Sequence, residues 1–183
     1  MNFLDNKRGD IWISAVIYIG LGVVAITLLL GAGLPLINKM RDRNTYLQTK
    51  EVMQTIDKAI FEVVSEGPGS RRFLSPVEIK KGHLNIGSNE IIWEMETKAL
   101  LQEPGTEISE GNLKLKFKES DLIKEVYVSE IALEHYAGNN IILYVKGSPD
   151  GVINNLDGRF GLSISNDGID EPLRLTKVNI VTA

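Results

Sequence analysis

Side chains able to do chemistry are few and scattered along this chain. It has two histidines, His83 and His135, far apart and without a second ligand at metal-binding spacing, and it has no cysteine. A metal centre needs several convergent donors, so both histidines read as surface or strand-edge residues. No Gly-x-Ser-x-Gly elbow, phosphate-binding glycine loop or His-Glu-x-x-His helix occurs. Oxygen ligands suited to Ca²⁺ gather in Asp150-Gly151-Val152-Ile153-Asn154-Asn155-Leu156-Asp157-Gly158 and in Asn166-Asp167-Gly168-Ile169-Asp170-Glu171. Neither run has the twelve-residue calcium-loop spacing, and Asn, Asp and Gly are also the ordinary turn residues. Glu94 and Glu96 stand two apart in an apparent strand and so share a face. Two acids on a solvated face do not make an active site without burial. The expectation is a non-enzyme without cofactor or metal.

The residues that matter more stand near the N-terminus. Lys7-Arg8-Gly9-Asp10 is followed by Ile11 to Ile37, a run of 27 residues without Asp, Glu, Lys, Arg or His. A helix needs about 20 apolar residues, at roughly 1.5 Å each, to cross a hydrocarbon core of about 30 Å. A secretory signal has an apolar region of about 7–15 residues and a small-residue cleavage site after it. This run is too long, and it continues through Leu34-Pro35-Leu36-Ile37 into Asn38-Lys39-Met40-Arg41. The segment is therefore expected to be retained, in a membrane or in a surrounding that replaces one. Lys7 and Arg8 precede it while Lys39, Arg41 and Arg43 follow it, so the charge rule alone leaves the orientation open. Trp12 and Tyr18 suit a membrane interface, Tyr18 lying rather deep for it. Gly20, Gly22, Gly31 and Gly33 are either ordinary membrane-helix glycines or points of close helix contact.

Elements that must hold these residues follow from periodicity. Beyond Ile37, Met40, Leu47, Met53, Ile56, Ile60 and Val63 or Val64 recur at helical spacing among polar residues, which predicts an amphipathic helix over 39–66. Gly67-Pro68-Gly69 stops it, and Pro35 is a point where the two helical halves can bend. A continuous helix from Asp10 to Glu66 has a length of about 85 Å. From 70 to 183 the pattern is β. His83 to Ile86 and Glu90 to Glu96 flank Gly87-Ser88-Asn89 as a hairpin. Asn112 to Lys118 alternates strictly, with Lys116 and Lys118 on its wet face and Trp93 expected in the core. Val126 to Leu133, Ile141 to Val145, Phe160 to Ser165 and Leu173 to Val181 complete the strands. Gly138-Asn139-Asn140, Ser148-Pro149-Asp150-Gly151 and Asn166-Asp167-Gly168 supply the turns. The fold class is thus α+β, a long N-terminal helix packed on an antiparallel sheet or small β-sandwich.

Length and charge narrow the functions. The residues after the apolar run suffice for one ordinary domain. The net charge of −4 includes a basic N-terminal portion, so the remainder is acidic and nucleic-acid binding is not predicted. Without cysteine, disulfide frameworks and thiolate metal sites are excluded.

Lys7-Arg8-Gly9-Asp10-Ile11 followed by a retained apolar helix and a β-rich remainder resembles an archaeal type IV pilin precursor. That resemblance implies a basic leader over 1–9, cut by a prepilin peptidase between Gly9 and Asp10 on the cytoplasmic side. It implies a hydrophobic helix over 10–38 that anchors the subunit and then builds a filament core with copies of itself. Ile11, Trp12, Ile13, Val16, Ile17, Gly20, Val24, Leu28 and Gly31 would form that polymerising surface. Its second half would pack on a β-rich head facing outward, giving a lollipop shape. Partners implied are the membrane, further copies, the peptidase and an ATP-driven assembly machine; the location implied is the membrane, then a cell-surface filament. Ser14 stands at the fifth mature position where bacterial pilins carry Glu, which favours the archaeal branch. Asp10 reads as a helix N-cap or as a charge at the positive helix end; pairing with a neighbour's new amino terminus is the functional alternative. The rival expectation is a single-pass anchored binding domain that does not polymerise, and a minor pilin is a variant of the first.

Overall fold

A computed structural model of the chain describes residues 7–87, 90–120, 123–134 and 139–182, with side chains from Trp12 onward. His135, Gly138, Ser88, Asn89 and the leader residues before Lys7 lie outside the described residues. The elements in order are α1 (Lys7–Glu66), β1 (Arg71–Ile86), β2 (Glu90–Thr97), β3 (Glu107–Glu110), β4 (Leu113–Glu119), β5 (Tyr127–Glu134), β6 (Ile141–Val145), β7 (Ile153–Asp170) and β8 (Leu175–Thr182). Two compact units result, Met1–Arg41 and Asp42–Ala183.

The eight strands form one sheet in the order β3-β4-β5-β2-β1-β7-β8-β6. Every neighbouring pair is antiparallel except β6 with β8, which run parallel. The α+β expectation holds, and of its two architectures the single sheet forms rather than the sandwich. One face of the sheet is covered by the helix segment from Asp42 to Glu66. Tyr46, Thr49, Met53, Ile56, Ile60 and Val63 are buried at steps of three or four, with Ala59 buried beside them, which is the stripe a sheet-packed helix must present. Opposite them lie Leu84, Trp93, Leu115, Ile131, Leu143, Leu162, Ile164, Val178 and Ile180 in the same core. Complete burial of Met53, Ile56, Ile60 and Val63 contributes about 6–12 kcal/mol before ordering entropy is subtracted.

Met53, Ile56, Ile60 and Val63 lie on the buried stripe as the periodicity predicts, whereas Met40 and Leu47 are exposed by 59% and 47%. Tyr46, one position before Leu47, is buried in its place, and a step of about 100° around the helix is enough to turn an apolar side chain to water.

Two strands are much longer than expected, because local breaks let charged and turn residues stay in the sheet. β1 is a central strand containing Pro76, which is tolerated only at a bulge. Its register with β7 shifts between Leu74 and Val77, where Ser75 and Pro76 lie. A second shift follows Ile79, where Gly82 has φ +82° and its missing Cβ would fall 2.1 Å from the Glu94 carbonyl oxygen. β7 likewise runs through Asn166-Asp167-Gly168, which is a bulge against β8 and not the expected hairpin turn.

Candidate functional site

Trp12 to Ile37 is the strongest candidate, because its side chains have no partner in their own unit. Trp12, Ile13, Val16, Ile17, Val24 and Leu28 are exposed, Trp12 by 76% and Leu28 by 68%. The helix passes without interruption through Pro35, which removes one backbone hydrogen bond to the Gly31 turn. Thr27 donates its hydroxyl to the Val23 carbonyl at 2.8 Å, so this hydroxyl near the middle of the run is satisfied within the helix. At Gly20, Gly22, Gly31 and Gly33 an added Cβ would meet nothing within 4 Å, so packing inside the chain gives no reason for these glycines. At 3.6 residues per turn, Gly20 and Gly31 lie on one line of the helix and Gly22 and Gly33 on another.

Lys7, Arg8, Gly9, Asp10 and Ile11 form the first turns of α1. Asp10 therefore lies within the helix and is not its N-cap.

The junction of α1 with the sheet is built from polar clamps. Asp42 accepts a charged hydrogen bond from Lys81 Nζ at 2.6 Å through Oδ1, and one from the Thr97 hydroxyl at 2.7 Å through Oδ2. The Thr97 hydroxyl oxygen in turn accepts from the Ala99 amide at 2.9 Å. Lys50 pairs with Glu110, and Asn112 Nδ2 reaches the Asp57 carboxylate at 3.3 Å. At the far end the carbonyl of Val63 accepts from Ser70 Oγ at 2.6 Å and from Asn166 Nδ2 at 3.0 Å. Arg72 spans Glu62, at 3.1 Å, and Glu66. The two bonds to Val63 satisfy a carbonyl that the helix end leaves open, and the set together fixes the helix in azimuth and depth on the sheet. None was singled out from sequence, because each joins residues far apart in the chain.

The chemistry-capable residues do not converge. His83 faces outward, opposite Glu94 across β1 and β2. Glu94 and Glu96 do share a face as expected, and both are exposed on it. Lys116 on the same face pairs with Glu130 at 3.4 Å, and Lys118 is exposed there. Trp93 is fully buried as expected, its indole N–H donating to the Lys81 carbonyl at 3.0 Å. Asp170 accepts from the Tyr144 hydroxyl at 2.6 Å and from the Leu173 amide at 3.2 Å. Asp167 accepts from the Ser165 hydroxyl at 3.0 Å. These acids hold turns and bulges together, and among the described residues no three His, Asp or Glu side chains form a metal-sized group. An open groove of about 500 Å³ runs between α1 and β1, with Val52, Thr55, Phe73 and Pro76 in its lining.

The class these features define is an α+β protein with one long apolar N-terminal helix, compatible with a membrane anchor. Comparison with protein-family models, with curated proteins and with solved structures finds no match for this chain.

Proposed function

We propose that this chain is the structural subunit of an archaeal type IV pilus-like surface filament, held in the membrane before assembly by the apolar half of α1. A prepilin peptidase cuts between Gly9 and Asp10, and the apolar surface containing Val16, Ile17, Gly20, Val24, Leu28 and Gly31 then packs against copies of itself. The role is mechanical and not catalytic. One observation carries the reading: the core of the Asp42–Ala183 unit is complete without the apolar run, whose side chains are left exposed over more than seven turns. Such a surface needs lipid or other helices around it. Because lipid is as apolar as a neighbouring helix, transfer from one to the other gains little hydrophobic free energy, and assembly is left to a driven machine.

The mature N-terminus tests this, read by intact mass on membranes and on sheared surface material separately. Chains starting at Asp10 in the sheared fraction are the expected result. Chains retaining Met1 to Gly9, found in membranes alone, would overturn it and leave an anchored binding domain that does not polymerise.

A further inference from the structure

Three bases stand at the exit of the apolar run, and the proposed function leaves them unused. Lys39, Arg41 and Arg43 are exposed, and among the described residues none has an acid partner. Asp42, the one acid between them, is turned to the sheet, where Lys81 and the Thr97 hydroxyl hold its carboxylate. It therefore neutralises Lys81 and none of the three. With the β-rich unit outside the cell, bases beside the membrane are not what insertion favours. A ligand on that side would give them a role.

The Asp42–Ala183 unit presents a matching end. Thr97 closes β2 beside Asp42, and the register sets it opposite Tyr127, the first residue of β5. Two connections therefore leave the sheet at the end where α1 enters, one after β2 and one before β5. Each carries an exposed aliphatic side chain near a lysine. Leu100 is 65% exposed and follows Lys98 by two residues; Ile123 is 54% exposed and is followed by Lys124. Both tips are held in place. Ala99 is buried with its amide on the Thr97 hydroxyl, and Leu101 packs against the core, which leaves Leu100 outside. The Val126 amide reaches the Ile123 carbonyl at 3.4 Å, and the Val126 carbonyl accepts from the Ser120 amide at 2.8 Å. Of the acids at this end, Glu96 turns to the opposite face of β2 from Thr97, and Glu119 stands two strands away, about 10 Å. Glu125 offsets Lys124 alone.

We propose that this end of the unit docks on anionic lipid headgroups, at the membrane surface from which α1 emerges. The chain itself brings it there, whatever angle the two units make. From Ile37 to Asp42 the helix rises about 7.5 Å, and the headgroup layer is about 5–7 Å deep on each side of the hydrocarbon. Arg41, Arg43 and Lys98 pair with lipid phosphates, while Leu100 and Ile123 enter the headgroup layer. Charge and apolar area together are what hold peripheral segments on membranes. A zwitterionic surface rewards the aliphatic tips and not the bases. Each Lys or Arg near an anionic surface raises the docked population about fivefold, and the attraction fades beyond a screening length of about 8 Å at physiological salt. The inference rests on the membrane-held state in the proposed function and is independent of polymerisation.

The test uses the full chain carrying Leu100→Cys, whose background is clean because the protein has no cysteine. The thiol is labelled with an environment-sensitive fluorophore and the chain is reconstituted into vesicles. In phosphatidylcholine mixed with phosphatidylglycerol the label should be blue-shifted and shielded from a water-soluble quencher. It should be exposed in phosphatidylcholine alone, and also in the mixed vesicles at about 1 M salt, where the screening length falls to about 3 Å. A label at Ser65→Cys, exposed and about 35 Å along the helix from Asp42, should stay in water throughout. Adding Arg41→Gln, Arg43→Gln and Lys98→Gln should lower the ratio of shielded to exposed label about 100-fold in the mixed vesicles, with vesicle flotation and circular dichroism unchanged. Shielding without phosphatidylglycerol, no shielding in either vesicle, equal shielding at Ser65→Cys, or an unaffected triple variant would each overturn the proposal. A chain that floats with neither vesicle would count against the membrane-held state and so against this docking too. Loss of filaments with the shielding intact would support the docking and count against the filament reading alone.

Discussion

Tyr46 shows how one side chain serves packing at the expense of its polar end. Its ring lies in the core, 6.3 Å from that of Trp93, yet its buried hydroxyl has no hydrogen-bond partner. Burial first, and then the Glu110 carboxylate, raise its pKa above the ordinary 10.0. Leaving a buried hydroxyl unpaired costs about 1–3 kcal/mol, so Tyr46→Phe is expected to raise stability by about 1 kcal/mol at neutral pH. The pH dependence has a definite sign. Because the folded pKa is raised, the unfolded chain ionises first, and stability is lost as pH rises above 10. Denaturant midpoints across that range should fall for the parent and fall less for Tyr46→Phe; a destabilised variant would mean that the hydroxyl is paired. Gly82 is the opposite case, a residue defined by what it lacks. With φ +82° and the Glu94 oxygen 2.1 Å from an added Cβ, Gly82→Ala must push β1 and β2 apart at a backbone contact. The expected loss is about 2–4 kcal/mol, from backbone strain and overpacking together, read as a lowered denaturant midpoint. From sequence Gly82 was one glycine among many, since its role depends on a strand that only pairing creates.

At the scale of elements, legibility depended on whether the signal was local. The apolar run, the helix stop at Gly67-Pro68-Gly69 and the alternation of β4 are periodic patterns within short windows, and all appear in the structure. β1 is legible in sequence only in its last four residues, because Arg71, Arg72, Lys80 and Lys81 obscure the apolar alternation and Pro76 lacks a ladder donor. Arg72 is absorbed by Glu62 and Glu66 of the helix, and Pro76 by a register shift. Neither compensation is visible without the fold. Asn166-Asp167-Gly168 failed in the same way. Its residues are those of a turn, but Asn166 is buried, donates to the Val63 carbonyl and accepts from the Gly168 amide at 3.0 Å. It joins the end of α1 to the bulge in β7 through one side chain. Asn166→Ala strands the Gly168 amide and leaves the Val63 carbonyl to Ser70 alone, and is expected to cost about 1–3 kcal/mol. Asn166→Asp, which keeps only the acceptor, should lose most of the same amount. Thermal unfolding of the detergent-held chain checks both, and a neutral Asn166→Ala would show that α1 ends without this support.

For the whole molecule, the two environments proposed for α1 respond differently to one buried charge. The run from Ile11 to Ile37 contains fifteen Leu, Ile and Val residues, which together favour insertion by about 4–9 kcal/mol on a biological insertion scale. A single Asp near the helix centre costs about 2.5–3.5 kcal/mol on that scale, so Val24→Asp should leave the chain in the membrane. Lipid permits this, because the carboxylate can draw in water or tilt toward the interface. A filament core made of helices does not. There the carboxylate is enclosed by neighbouring side chains without a cation to meet it, and an unpaired buried charge costs several kcal/mol at every subunit. Val24→Asp is therefore expected to fractionate with membranes like the parent while its sheared surface material disappears. Retention of both fractions would place Val24 on a face that no neighbour covers. Loss of both would mean that the anchoring margin of the helix is smaller than its composition indicates. The discriminating quantity is thus the ratio of surface to membrane protein, since an anchored domain that never polymerises has no such ratio to change.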